Sequence, residues 1–232
     1  GILQNLRRSE SATLGDIEDL PENLDIGKIT EYFEYIKLEI KYHASNTKLQ
    51  IGYIYFGGGS PNLIPKDTLE DFFIFMNENN FMKQEGGYGT IELHPEFFKN
   101  VPYAISFLTV AKKYGVNRVS IGYQSSDEET LDRHNRRHGV SFIDIAVETL
   151  KSLDMLFNFD VMYGLPEQSL EQLARTLIDV VRYRPNSVSA YFLFVDQGTG
   201  LYNKIKRGIV TLPNFETIQV QHIMIQEYLQ QN

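Results

Sequence analysis

Short apolar runs rich in β-branched and aromatic residues alternate along the chain with longer stretches whose apolar positions recur every three to four residues. Residues 28–45 place Ile29, Tyr32, Phe33, Ile36, Leu38 and Ile40 at roughly helical spacing. The run IGYIYF (51–56) stops at consecutive glycines and reads as a buried strand. Pro65 and Asp67 introduce a helix over 66–80, with Leu69, Phe72, Phe73 and Met76 on one face. Strands follow at 89–94, 117–124, 156–164 and 187–195, and helices at 101–114, 141–154, 169–183 and 214–230. The helix at 141–154 carries an apolar stripe at Phe142, Ile145, Ala146, Thr149 and Leu150. The one at 169–183 opens with Ser169 and, three residues on, Gln172, which is a capping-box pattern. Strand and helix alternate with a period of about 30 residues, so the pattern predicts a parallel sheet with helices outside it. Right-handed crossovers allow an open doubly wound sheet or a barrel. The helix at 28–45 has no convincing strand before it, although GILQN reads as a remnant of one.

Composition narrows the function classes. The chain has 232 residues, fewer than the roughly 250 of a full (β/α)₈ barrel. Its formal charge is −8 and its pI about 5.2, which argues against a nucleic-acid binder with a basic face. It contains no cysteine, which excludes a disulfide scaffold, a thiolate zinc site and a cysteine nucleophile within these residues. No window approaches the 18 or so apolar residues of a membrane span, and Arg7 and Arg8 lead into a polar rather than an apolar segment. The expectation is a cytoplasmic protein with an arm at 1–27 and a core at 28–232. Its oligomeric state is open.

In parallel α/β folds, ligands bind at the carboxyl ends of the strands. Read in order, those ends are Gly57-Gly58-Gly59-Ser60-Pro61, Glu92-Leu93-His94-Pro95, Gly122-Tyr123-Gln124-Ser125, Asp160 with Tyr163-Gly164-Leu165-Pro166, and Phe194-Val195-Asp196-Gln197. Three glycines suit close approach of a carboxylate or phosphate to the backbone, or simply a tight turn. Glu92 and Asp160, in otherwise apolar strands, suit an ammonium group or ribose hydroxyls, or an internal ion pair with Arg118 or Arg133. Gln124 suits a sugar hydroxyl or a loop cap. One of Arg133, Arg136 and Arg137 suits a ligand carboxylate, and the others read as a solvated face. His134 and His138 are four apart but lack an HExxH frame, so no metal site is expected. P-loop, GxGxxG and GxSxG motifs are absent from the strand ends.

Together these segments resemble the radical S-adenosylmethionine (SAM) proteins of the HemN/HemW group, which includes oxygen-independent coproporphyrinogen III oxidase. YIYFGGGSPNLIP resembles the group's GGGTP segment and IELHP its E-x-x-P strand end. GVNRVSIGYQSSDEETLDRHNRRH, NFDVMYGLPEQSLEQL and VDQGTGLYNKIKRGIVTLP resemble three further segments in the right order. The resemblance implies a partial (β/α)₆ barrel of the TIM type. It implies that Gly57, Gly58 and Gly59, with Ser60 beside them, meet the methionyl amino group of SAM. It likewise assigns Glu92, Gln124 and Asp160 to the ribose or polar part of the ligand, Arg136 to a SAM carboxylate and Met162 to the adenine. The activity it implies is formation of a 5′-deoxyadenosyl radical acting on a tetrapyrrole, heme-related or other organic substrate. No catalytic residue is identified.

One departure is severe. The group's C-x₃-C-x₂-C motif holds a [4Fe–4S] cluster, and clusters of this kind need thiolates; this chain has none. The motif belongs just before the helix at 28–45, where a strand is also missing from the pattern. Either the cysteines lie outside the sequence, and the whole protein is an ordinary radical SAM enzyme, or they are lost and the chain is a binding module without catalysis. Polar groups present at all five strand ends favour the first reading.

Overall fold

The structure is a computed structural model and describes residues 25–82, 88–133 and 140–232. Its elements run α1 (Ile26–Asn46), β1 (Tyr53–Phe56), α2 (Lys66–Glu78), β2 (Tyr88–Leu93), α3 (Val101–Lys113), β3 (Val116–Gln124), α4 (Glu128–Arg133), α5 (Val140–Ser152), β4 (Leu156–Tyr163), α6 (Leu170–Tyr183), β5 (Ser187–Phe192), α7 (Gly200–Lys206) and α8 (Phe215–Gln231). The strands are hydrogen-bonded in the order β1-β2-β3-β4-β5. Two compact units divide the chain, one running to Ser120 and including Asp144–Leu156, the other formed by Ile121–Ile143 and Phe157–Asn232.

In the first unit, α1 begins where the Asp25 side chain accepts from the Lys28 N–H. Its buried stripe is Ile29, Phe33 and Lys37, spaced by four. The Lys37 ammonium reaches Asp71 and Glu34 and lies over the Phe75 ring, 5.8 Å from its centroid, so a paired lysine takes a place in the apolar seam. Burial lowers its pKa, and the two carboxylates more than offset this, for a net rise. Leu38, expected on the buried face, is 60% exposed, since it lies a further 100° or so round the helix from Lys37. On α2, Leu69, Phe72, Phe73 and Met76 are all buried, as the spacing predicts. Aromatic edges join them to their neighbours: Phe33 meets Phe72 at 5.5 Å, Phe56 meets Phe73 at 5.6 Å, and Phe73 stacks on Tyr114 at 5.0 Å.

β1 and β2 pair in parallel, with Tyr53 opposite Tyr88 and Tyr55 opposite Thr90. The expectation of a buried β1 is wrong: Tyr53 and Tyr55 are 52% and 48% exposed. Each tyrosine instead lays its ring along one face of the pair and anchors its hydroxyl on β2. On α5, Ala146, Thr149 and Leu150 are buried as predicted, but Phe142 and Ile145 are only half-buried, and Ile143 and Val147 carry the rest of the stripe.

In the second unit, β4 alternates. Phe157, Phe159, Val161 and Tyr163 form a buried face, while Asn158, Asp160 and Met162 occupy the other. β5 runs parallel to it, with Asp160 opposite Ser189 and Met162 opposite Tyr191. The pairing ends at Phe192, three residues before the predicted end, although the Leu193 N–H still donates to the Tyr163 carbonyl at 3.0 Å. α6 carries the expected capping box of Ser169 and Gln172. It packs on α8 through Leu173, Leu177 and Ile225, and Tyr163 of β4 completes the cluster. The short helices α4 and α7 were not anticipated, because six or seven residues are too few to display a period. Among the described residues no helix is long and apolar enough to cross a membrane.

Candidate functional site

The sequence-derived candidates fall on both units. In the first, the chain leaves β1 into Gly57-Gly58-Gly59 and then a buried Ser60, which precedes a single 3₁₀ turn at Pro61–Leu63. Gly58 adopts φ +75°, a left-handed conformation that favours glycine. Glu92, one residue before the end of β2, lies against this loop. Its Oε1 accepts from the Tyr55 hydroxyl at 2.6 Å, and its Oε2 accepts from the Gly58 N–H at 3.3 Å. A Cβ at Gly57 would lie 2.4 Å from Tyr55 Cε1 and 2.9 Å from Glu92 Cδ, so the ring and the carboxylate sit directly on the glycine backbone. Among the described residues Glu92 meets these two neutral donors and no cation. A half-buried carboxylate with neutral partners is a ready complement for an ammonium group.

His94, at the same strand end, has a local role. Its Nδ1 accepts from the Glu96 N–H at 3.3 Å and caps the turn Pro95–Lys99. Burial raises the Glu96 pKa against the opposing effect of Lys99. No group of three or more His, Cys, Asp or Glu suited to a metal ion occurs among the described residues.

In the second unit, Gln124 ends β3 with φ +62°, a costly conformation for a residue with a side chain. The Ser125 N–H donates to the Tyr123 carbonyl across it at 2.8 Å, a three-residue turn. Gln124 is buried. The neighbouring Tyr123 hydroxyl is pushed far up, by burial first and then by the Asp179 carboxylate, and stays protonated.

Asp160 Oδ1 accepts from Asn158 Nδ2 at 2.8 Å. Asn158 is fully buried, and its Oδ1 accepts from the Ser187 and Ser189 hydroxyls at 2.9 and 3.2 Å. These two donors orient the amide so that its NH₂ faces Asp160. Met162 is half-buried, and its carbonyl accepts from Gln168 Nε2 at 3.2 Å. The turn after it is held by the buried Gln221 of α8. Gln221 Oε1 accepts from the Gly164 N–H at 3.0 Å, and its Nε2 donates to the Gln168 carbonyl at 3.3 Å.

The structure therefore brings Gly57, Gly58 and Glu92 into direct contact and gives Asp160 a hydrogen-bonded support. Arg136, with Arg137, His134 and His138, lies outside the described residues, and so does the side chain of Arg133. Tyr55, Asn158, Ser187 and Ser189 were missed. Their signal lay in the alternation: Tyr53 and Tyr55 on one face of β1, Asn158 and Asp160 on one face of β4.

Comparison with known proteins gives this arrangement a context. The family model of the radical SAM superfamily matches residues 23–180. The heme chaperone HemW of Buchnera aphidicola (subsp. Schizaphis graminum) is 29% identical over 206 residues, which cover 87% of this chain and 51% of that protein. HemW of Escherichia coli is 31% identical over 153 residues, covering 63% and 37%. The mitochondrial radical S-adenosyl methionine domain-containing protein 1 of Mus musculus is 28% identical over 165 residues, covering 69% and 35%. The chain thus spans about half or less of the length of these relatives. Among solved structures, coproporphyrinogen III oxidase (HemN) from Escherichia coli aligns with a TM-score of 0.73 at 23% identity, covering 89% of this chain and 46% of that one. The archaeal Elp3 of Methanocaldococcus infernus aligns at 0.59 and 19%, covering 88% and 51%. These likenesses show the fold, the expected α/β partial barrel of parallel strands with outer helices. Because the superfamily model accounts for more than half of the residues, the chain belongs to the radical SAM superfamily.

Proposed function

We propose that this chain binds S-adenosylmethionine, as the SAM-holding part of a HemN/HemW-type radical SAM protein whose core is residues 28–232. In this reading Gly57, Gly58, Gly59 and Ser60 line the methionyl end, with Glu92 receiving the ammonium group. Gln124 and Asp160 receive the ribose hydroxyls, Arg136 pairs with the methionyl carboxylate, and Met162 lies near the adenine. The observation that carries it is the Glu92 carboxylate, set against the glycine backbone and meeting, among the described residues, neutral donors only. The strained backbone of Gln124 supports it, since such conformations gather where a site demands them.

A [4Fe–4S] cluster does not fit the residues present, because none of the 232 is a cysteine. Radical chemistry on a tetrapyrrole or other organic substrate therefore requires cluster ligands from outside this sequence. The same fact, together with relatives named as heme chaperones, supports a second reading: a binding module that holds SAM or heme without catalysis.

Titration calorimetry with SAM tests the proposal. Binding to the wild-type protein that weakens at least about tenfold in Glu92→Gln and in Asp160→Asn supports it. No binding overturns it. Anaerobic reconstitution of the full-length gene product with iron and sulfide then separates the two readings: 5′-deoxyadenosine released from SAM marks the enzyme, and its absence alongside SAM binding marks the module.

A further inference from the structure

We infer that Tyr55 is a positioning residue that sets the Glu92 carboxylate for ligands bearing an ammonium group; this rests on the SAM reading above. The parallel register carries residues 53 and 55 of β1 and residues 88, 90 and 92 of β2 on one face. Tyr55 Oη lies 2.6 Å from Glu92 Oε1, the short range of a hydrogen bond to an ionised acceptor. Gly58 N–H holds the other oxygen at 3.3 Å. With one donor on each oxygen, the carboxylate cannot rotate freely, yet each oxygen retains a lone-pair site for a ligand.

The Tyr55 ring is itself seated. It packs where a Cβ of residue 57 would stand, so the glycine at that position is what admits it. One step back along the strand, Tyr53 donates to Thr90 Oγ1 at 2.8 Å and fills the space beside Tyr55, with ring centroids 6.5 Å apart. Glu92 thus reaches the glycine loop in one fixed pose. The aminoacyl arm of a ligand reads that pose, whereas a nucleoside part does not touch it.

The test is Tyr55→Phe, which removes one oxygen from a half-exposed ring and leaves the packing in place. Two readouts separate positioning from general support. The first is the Gly58 amide proton in a ¹⁵N–¹H spectrum of the ligand-free protein, expected to move upfield as Glu92 swings away. The second is a pair of dissociation constants. SAM should bind about five- to tenfold more weakly, the loss of part of one charge-assisted hydrogen bond. 5′-Methylthioadenosine, which lacks the aminoacyl arm, should keep its affinity within about twofold. An unmoved Gly58 amide overturns the positioning role whatever the ligands do. Equal weakening of both ligands overturns the selectivity. A wild-type protein that does not bind SAM overturns the SAM reading instead, and the positioning role is then decided by the Gly58 amide.

Discussion

Glu92 and Asp160 are each supported by a side chain in the sheet, but in opposite ways. Glu92 is held from outside by a half-exposed tyrosine ring on the neighbouring strand and by a loop amide. Asp160 is held from beneath by a fully buried asparagine, whose own carbonyl is pinned by two serines. The first support is surface-mounted, and its parts can swing into water. The second centres on a side chain with no solvent exposure, which has nowhere to swing. Damage to the Glu92 support should therefore appear in ligand binding, and damage to the Asp160 support in stability.

The largest test is Asn158→Leu. It removes one donor to Asp160 and one acceptor from Ser187 and Ser189, around a side chain with no solvent exposure of its own. The expected loss is about 2–4 kcal/mol, because three hydrogen bonds made by a fully buried side chain are removed, each worth roughly 0.5–1.5 kcal/mol. Urea unfolding measures it, and a loss below about 1 kcal/mol would erase the contrast.

Two of the crowded glycines give a second test. Gly164 combines φ +72° with a prospective Cβ 2.6 Å from the Phe192 ring, so Gly164→Ala should cost about 1–3 kcal/mol. Gly57 is as crowded, but by the movable ends of Tyr55 and Glu92. Gly57→Ala should cost under about 1 kcal/mol and yet displace both side chains, with loss of SAM binding. Equal melting-temperature shifts in the two variants would show that Tyr55 and Glu92 yield no more easily than Phe192.

Glu92→Gln sharpens the comparison further. Stability should stay within about 0.5 kcal/mol, as expected at a half-exposed polar position, while affinity for SAM falls at least about tenfold. The smallest expected effect belongs to Ser189→Ala, which removes the longer of the two serine bonds to Asn158 and should cost about 0.5–1.5 kcal/mol in the same unfolding assay.

Much of this was legible from residue order. Leu69, Phe72, Phe73 and Met76 declare their helix face by spacing alone, and Glu92 and Asp160 announce themselves as carboxylates in apolar strands. The supports were harder to see, for a physical reason. Tyr55 meets a residue 37 positions away, and only the β1–β2 register makes them neighbours. A one-residue slip would turn the hydroxyl to the other face. The exposed ring also misled: a β-rich run of Tyr, Ile and Phe reads as a buried strand, whereas here the tyrosines cover the sheet edge themselves. Lys37 escaped notice because a lysine whose ammonium is met by Glu34, Asp71 and the Phe75 ring can occupy a buried position, an option that hydrophobic periodicity does not count.

Gln221 has a consequence in time rather than in space. Every atom of the Glu92 support has been synthesised once residue 92 has left the ribosome. The turn after β4 depends on a side chain made 57 residues after Gly164, so it is braced only when α8 has been added and packed. A growing chain can therefore complete both carboxylate supports before the turn after β4, at Gly164, receives its brace from Gln221.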